Sequence, residues 1–471
     1  MKNNLHSLLQ WLVALELDDI PTGVQKKAVL VLCDDIAAMA AGSRELEVQR
    51  LAGTLARRSG APVTATVFGF DGMRVSPADA AVLNAIAGCW CELDEGYRPL
   101  PCHAGLYALP ALLAESEIAG VSTGEVLRAL VGAYEVGTRF AKAFRFSESR
   151  IHPHSFFSPI VAAAAVGLIR RAAVDQLESA LTLASTLCGV GPFQHAATGV
   201  LARNTWAAVG TWCGLQVMDW AAAGISGSMT SMTEVARTID GASFEASHLD
   251  VALGTHWGIL DGYHKGYPCC QYTHSAIEAI QHLLTSDERL RGGVAIASID
   301  VEAHPRAILL DEIHPATTLG ARFSLPHAVA ATLVYGDDVQ EAFSVRSLTD
   351  PHIARLREAV CMRLFPDIPP APLDRPCRVS IRLVDGSTST ATCMSARGGV
   401  DRPFVSDEIL KRAGAIVGSS WPSFEQELRA LYTLSGEELS RPWATRVASR
   451  HIRRERTGKV RRQARRAAEG S

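Results

Sequence analysis

The sequence predicts a mainly α protein, with a large all-helical domain and a smaller α+β lid domain. Three observations carry this reading. Apolar residues recur at helical spacing through almost all of the first 266 residues, strand-like runs gather after Tyr267-Pro268, and helical spacing returns beyond residue 400. The chain accordingly divides into a helical domain over 1–266, a lid over 267–400, helices over 401–445 that return to the first domain, and a basic tail over 446–471 expected to be disordered. At 471 residues there is enough chain for two domains and a sizeable core.

Helical spacing starts at Leu5, breaks at Ile20-Pro21 and resumes through Val24, Ala28, Val29, Leu32 and Ile36 to Gly42. Pro21 suits a first helical turn and Gly42 a stop. Residues 63–67 read as a short strand ended by Gly69 and Asp71-Gly72. Pro77 opens a helix through Ala80, Leu83, Asn84 and Ala87, and further helices are expected over about 105–118, 124–144, 176–187 and 204–223. In the last of these, Ala207, Ala208, Gly210 and Gly214 would let a neighbouring helix approach closely. The lid offers a helix over 275–284, a strand over 294–301, and a hairpin made by 377–384, the Asp385-Gly386 turn and 388–392. Helices over 406–413 and 423–434 close the pattern.

Composition excludes more than it identifies. A net charge of −3 and a pI near 6.6 give no general attraction to nucleic acid or an anionic membrane. The longest apolar runs, such as 160–169, are too short to cross a bilayer. The start of the chain does not lead into a signal-peptide core, so a cytoplasmic location is expected. Eleven cysteines, an odd number, then read as free thiols. Cys89, Cys91, Cys102 and His103, or Cys269, Cys270 and His274, could be imagined around zinc, but neither set has paired C-x-x-C spacing and no metal is expected. The tail, with Arg453-Arg454, Arg461-Arg462 and Arg465-Arg466, has no interleaved aromatics, which argues against nucleic acid as a partner.

Two stretches concentrate chemistry. The first runs Glu92-Leu93-Asp94-Glu95-Gly96-Tyr97-Arg98 to His103-Ala104-Gly105, the second Tyr263-His264-Lys265 to Gln271-Tyr272-Thr273-His274. Carboxylates beside helix-breaking residues suit a cleft where a proton moves better than they suit plain packing. His152-Pro153-His154 stands at a third helix entrance. Histidine is the natural acid and base near neutral pH, so His103, His152 and His274 are candidates for catalysis, with Asp94 orienting a histidine and Lys265 supplying charge. Glu92 and Glu95 read as solvated or turn-supporting, and Cys269 and Cys270 as packing thiols.

These segments together resemble the MmgE/PrpD family, which includes 2-methylcitrate dehydratase, cis-aconitate decarboxylase and iminodisuccinate epimerase. The likeness runs from about Leu8 to Leu434. It rests on the acidic segment followed by His103-Ala104-Gly105, on Gly132-Ala133-Tyr134-Glu135-Val136, on His152-Pro153-His154, on Lys265-Gly266-Tyr267-Pro268-Cys269-Cys270-Gln271-Tyr272-Thr273-His274, and on Ser324-Leu325-Pro326-His327. The chain departs from the family pattern at Glu92 (Asp), Gly96 (Thr), Arg203 (Lys), Gln271 (Arg) and His327 (Tyr).

The resemblance implies a helical domain with an α+β lid, a homodimer, no cofactor or metal, and a small carboxylate as substrate. Arg98, Arg203, Gln271 and His327 are then candidates for substrate binding. The expected function is a cofactor-free lyase, dehydrating or decarboxylating a di- or tricarboxylate such as 2-methylcitrate or cis-aconitate. An epimerase of a dicarboxylate such as iminodisuccinate, and a non-catalytic carboxylate-binding or interaction protein, are the alternatives. His103, His152, His274 and Lys265 are expected to converge on one cleft between the domains.

Overall fold

The computed structural model describes residues 2–448 apart from 59, 61, 62, 147–149 and 240; the arginine-rich tail beyond 450 lies outside the described residues. At the centre of the larger part is the helix Pro153–Ile169, buried from His154 to Ile169 on every face. A helix apolar all round has to be surrounded. Helices Ala104–Ala119, Thr123–Ala143, Val174–Ser185 and Trp206–Ala222 enclose it. The tightest approach is to Trp206–Ala222, where a Cβ at Gly210 or Gly214 would collide with Ser158 or Ala162. Small residues thus bring the backbones together, as their spacing predicts.

The expected strand at 63–67 is reduced to Ala65–Thr66, paired with Arg74–Val75. The lid carries a four-stranded sheet in the order Thr388–Cys393, Cys377–Leu383, Ile296–Ala303, Val360–Leu364. The hairpin closes through Gly386 at φ +86°, a conformation that favours glycine. Ile296–Ala303 runs antiparallel to Cys377–Leu383 but parallel to Val360–Leu364. The crossover between the parallel strands contains helices Leu325–Tyr335 and Pro351–Glu358. The strand Val360–Leu364 eluded sequence reading because it is an edge strand without a fully buried face.

The apolar interior falls into two clusters. One joins residues from Leu5 to Ile259 with Ile409 to Val447; the other joins Ala196 and Ala197 with residues from Cys269 to Cys393. Ser406–Val417 and Phe424–Tyr432 pack on Thr22–Gly42, so the end of the chain comes back onto its beginning. The first residues assigned to the tail are ordered instead: Trp443–Ala448 is helical and Arg446 is buried against Glu427 and Glu438. None of the described helices is long and apolar enough to cross a membrane.

Candidate active site

The two chemistry-bearing stretches are paired backbone to backbone. Gly96 faces Tyr263 and Tyr97 faces Gly262 in a short antiparallel ladder. The helix Pro77–Trp90 delivers the first stretch; Ser76 caps its start by accepting from the Asp79 N–H at 3.2 Å. Just past its end, Glu92 adopts φ +52°, unusual for a residue with a side chain. That turn sends the following carboxylates inward. Glu92 and Glu95 are both buried, which corrects the expectation that they are solvated. Glu95 Oε1 accepts from the Gly105 N–H at 2.8 Å and its Oε2 from the Tyr134 hydroxyl at 2.7 Å. A Cβ at Gly105 would strike the carboxylates of Asp35 and Glu95, so glycine is required where the helix Ala104–Ala119 begins.

Two acids and two cations form a closed set. Lys265 Nζ lies 2.9 Å from Glu92 Oε2 and 3.4 Å from Asp94 Oδ1, and the Arg203 guanidinium pairs closely with the other Glu92 oxygen. Arg203 also donates to the Cys89 carbonyl at 2.9 Å. Burial alone would raise the Asp94 and Glu92 pKa values, but Lys265 and His103 hold Asp94, and Arg203 and Lys265 hold Glu92, below the ordinary range. Burial likewise opposes the charge on Lys265, yet Asp94 and Glu92 keep its pKa above the usual lysine value.

His103 is the cap residue of the helix Ala104–Ala119. Its Nδ1 lies 2.6 Å from Asp94 Oδ2 and 2.7 Å from the Glu95 carbonyl oxygen. Both neighbours are acceptors, so Nδ1 carries a proton and Nε2 is left for the cavity. His152 caps Pro153–Ile169, its Nδ1 accepting from the His154 N–H at 3.2 Å, while Arg203 Nε stands 3.4 Å from its Nε2. Burial first, and then Arg203, push its pKa far down, so His152 is neutral. His154, in the same motif but not singled out from sequence, touches both rings edge-on at centroid distances of 4.9 Å (His103) and 4.5 Å (His152), and its Nδ1 meets the Tyr107 hydroxyl at 2.9 Å.

His103, His152, Arg203, Lys265 and Glu92 line one cavity, together with Gln271. The lid closes the other side with Tyr272, Arg306, Leu309, Phe323 and Arg375. Sequence reasoning missed Arg306 and Arg375. The available signal was an arginine next to proline at an element boundary, in His304-Pro305-Arg306 and Arg375-Pro376.

Models of the MmgE/PrpD N-terminal domain and the MmgE/PrpD C-terminal domain match residues 6–250 and 267–433. The chain belongs to the MmgE/PrpD family. It is 24% identical over 445 residues to a cis-aconitate decarboxylase of Aspergillus terreus, covering 88% of this chain and 89% of that relative. A mouse (Mus musculus) cis-aconitate decarboxylase is 25% identical over 366 residues, 74% of this chain and 73% of the relative. The human (Homo sapiens) protein of that name is 23% identical over 466 residues, 93% of each.

The positions where this MmgE/PrpD chain departs from the family pattern have physical settings. At Gly96 a Cβ would stand 2.6 Å from the Tyr263 hydroxyl, so the substitution makes room for that ring. Gln271 places a neutral amide in the cavity wall. His327 does not reach the cavity: its Nε2 lies 2.9 Å from the Ala342 carbonyl oxygen, inside the lid core. His274 is also outside the lining, with Nε2 3.2 Å from the Cys269 carbonyl oxygen, its ring against Tyr267 and its pKa pushed by burial to about 3. Of the four residues expected to converge, His103, His152 and Lys265 do and His274 does not, because its position on Gln271–Ser286 turns it into the lid. Arg98 points away too, pairing with Asp374 at 2.6 Å. Burial raises the Cys269 and Cys270 thiols to about 12 and about 11, which leaves them unreactive near neutral pH. Among the described residues no three His, Cys, Asp or Glu are grouped as metal ligands.

Proposed function

We propose that the chain is a cofactor-free lyase of small carboxylates, and that it decarboxylates an unsaturated di- or tricarboxylate of the cis-aconitate type with His103 as the proton donor. The observation that carries the reading is His103, held at Nδ1 by Asp94 and the Glu95 carbonyl with Nε2 left for the cavity. Near full-length similarity to proteins named cis-aconitate decarboxylase supports the substrate class. In such a reaction the bond to the departing carboxylate breaks and carbon dioxide leaves. The electron pair forms a new double bond, the existing one shifts, and the carbon that gains electrons takes the Nε2 proton, which solvent later replaces. The two acceptors at Nδ1 hold the ring in place while Nε2 hands its proton to the substrate carbon. A homodimer and a cytoplasmic location belong to the same proposal.

The test is turnover in heavy water with cis-aconitate and 2-methylcitrate, following gas, alkene and deuterium. Gas with one deuteron incorporated per turnover, and a kcat lowered by about 10²–10⁴-fold in His103→Gln, is the expected result. Water loss without gas would make the protein a dehydratase, and inversion with exchange but no net loss an epimerase. Turnover untouched by His103→Gln removes the histidine from the mechanism.

A further inference from the structure

The cations that face the reaction end are already neutralised. Arg203 and Lys265 meet Glu92 and Asp94, so an incoming carboxylate there competes with two buried acids. Arg98 is held by Asp374. The lid wall is different. Arg306 Nη1 donates to the Tyr272 hydroxyl at 3.0 Å, and its Cζ lies 5.8 Å from the centre of that ring. Arg375 Cζ lies 4.7 Å from the same ring centre, and its Nη2 donates to the Arg98 carbonyl at 2.9 Å. The acid near Arg375 is Asp374, 4.0 Å from Nε and engaged at 2.6 Å by Arg98. Among the described residues, no carboxylate forms an ion pair with Arg306. Two guanidinium groups thus meet one aromatic ring and line the cavity, Arg375 with only 12% of its side chain exposed.

We propose that Arg306 and Arg375 bind a carboxylate of the substrate that does not react, so that the substrate carries at least two carboxylates, one against the lid arginines and the other toward His103. This rests on the lyase reading of the same cavity. A mostly buried guanidinium whose neighbouring acid stands 4.0 Å away and is already engaged by Arg98 is under-compensated, and a carboxylate matches its forked donors. Tyr272 fixes both groups through one ring, by a hydrogen bond on one side and by cation–π contact on the other. Because both arginines belong to the lid, the same carboxylate also draws the lid onto the helical part. Specificity for polycarboxylates then comes from the lid, and proton transfer from the helical part.

The probe is tricarballylate, a saturated tricarboxylate with no hydroxyl group to lose, titrated calorimetrically beside butyrate and inorganic phosphate. Arg306→Ala and Arg375→Ala should each weaken tricarballylate by at least about tenfold and leave the weaker butyrate binding within about twofold. In turnover the loss should fall on KM, with kcat changed far less, and Arg375→Lys should recover part of it. Thermal melting screens for misfolding, and if Arg375→Ala does not fold, Arg306→Ala and Arg375→Lys still decide. Wild-type affinity for tricarballylate in the variants, while carboxylate turnover persists, overturns this assignment and leaves the lyase reading standing. Binding lost in the variants, with no turnover of any carboxylate by the wild type, supports the arginine site and sinks the lyase reading. Phosphate bound more tightly than tricarballylate, and lost in the same variants, overturns the carboxylate as occupant.

Discussion

At the inner end of the cavity Arg203 and Lys265 are almost fully buried and share Glu92 and Asp94 between them. At the lid end Arg306 and Arg375 share Tyr272, and the nearest acid belongs to Arg98. Both ends hold two cations, yet they are suited to opposite tasks. A buried, compensated quartet keeps its geometry whether or not substrate is present, because removing one member strands a charge in low dielectric. It can therefore orient His103 and balance the charge that develops during reaction. An under-compensated pair, whose neighbouring acid is engaged by Arg98, is the kind that a ligand can complete.

The largest expected effect follows from this contrast. Glu92→Gln leaves Arg203 and Lys265 with Asp94 alone, and should lower stability by about 3–5 kcal/mol, the scale of a buried ion pair broken from one side. The lid variant Arg306→Ala should change stability by no more than about 0.5 kcal/mol, since that side chain is only partly buried and breaks no ion pair among the described residues. Urea unfolding at neutral pH measures both. Equal losses in the two variants would erase the distinction between the ends.

How much of this was readable beforehand depended on whether a residue's role is set locally or by its neighbours in space. The helical domain and the lid hairpin were legible because periodicity and turn chemistry act over a few residues, whereas the meeting of the two stretches was read from the chemistry of their motifs. Gly96 and Tyr263 were flagged from segments that do pair. His103, His152 and Lys265 stand at element boundaries, where motif and position coincide. His274 carried an equally good motif, but one side of its helix faces the lid interior, and that orientation depends on tertiary packing. Arg98 was misplaced for a related reason, while Arg203 lines the cavity with its charge already engaged. Sequence shows that Arg98 and Arg203 are cations; it does not show that Asp374 and Glu92 are beside them. Arg306 and Arg375 become visible only after the lid sheet brings distant loops to one wall.

A smaller effect should appear behind the quartet. Glu95 is buried, and burial, only partly offset by the Tyr134 and Gly105 hydrogen bonds, pushes its pKa up to about 7. Asp35, whose Oδ1 accepts the Glu95 N–H at 3.2 Å, is shifted up as well, by burial first and then by Glu95. An ordinary glutamate titrates near about 4.3. Between there and about 7 the folded chain keeps a proton that the unfolded chain has released, so this contribution to stability is full below the window and lost as pH rises through it. Glu95→Gln stays neutral throughout and lacks the dependence. The melting temperature of the wild type should therefore fall relative to Glu95→Gln as pH rises from about 4.5 to 7. A wild type that gains on the variant over that range would mean that Glu95 works as an anion, and the charged quartet would then extend one residue further back.

The smallest expected effect belongs to Arg98, the cation that sequence placed at the substrate and the structure places against Asp374. Its side chain is 12% exposed and its partner's 30%, so solvent screens the pair and much of the Coulomb attraction is lost. The bond joins the acidic segment to the lid, with a further contact from Arg98 to the Pro372 carbonyl at 3.2 Å. A double-mutant cycle of Arg98→Ala and Asp374→Ala should give a coupling of about 0.5–1 kcal/mol in unfolding, diminishing in high salt. Tricarballylate affinity should change by less than about threefold in Arg98→Ala, against at least about tenfold in the lid variants. Asp374→Ala discriminates further, because it removes the acid that lies 4.0 Å from Arg375. If the lid arginines take the substrate's carboxylate, losing that competing acid leaves binding unchanged or tighter; if Arg98 is the clamp after all, freeing it from Asp374 tightens binding only while Arg98 is present. Comparing Asp374→Ala with the double variant therefore separates Arg98 from the cavity-lining Arg375.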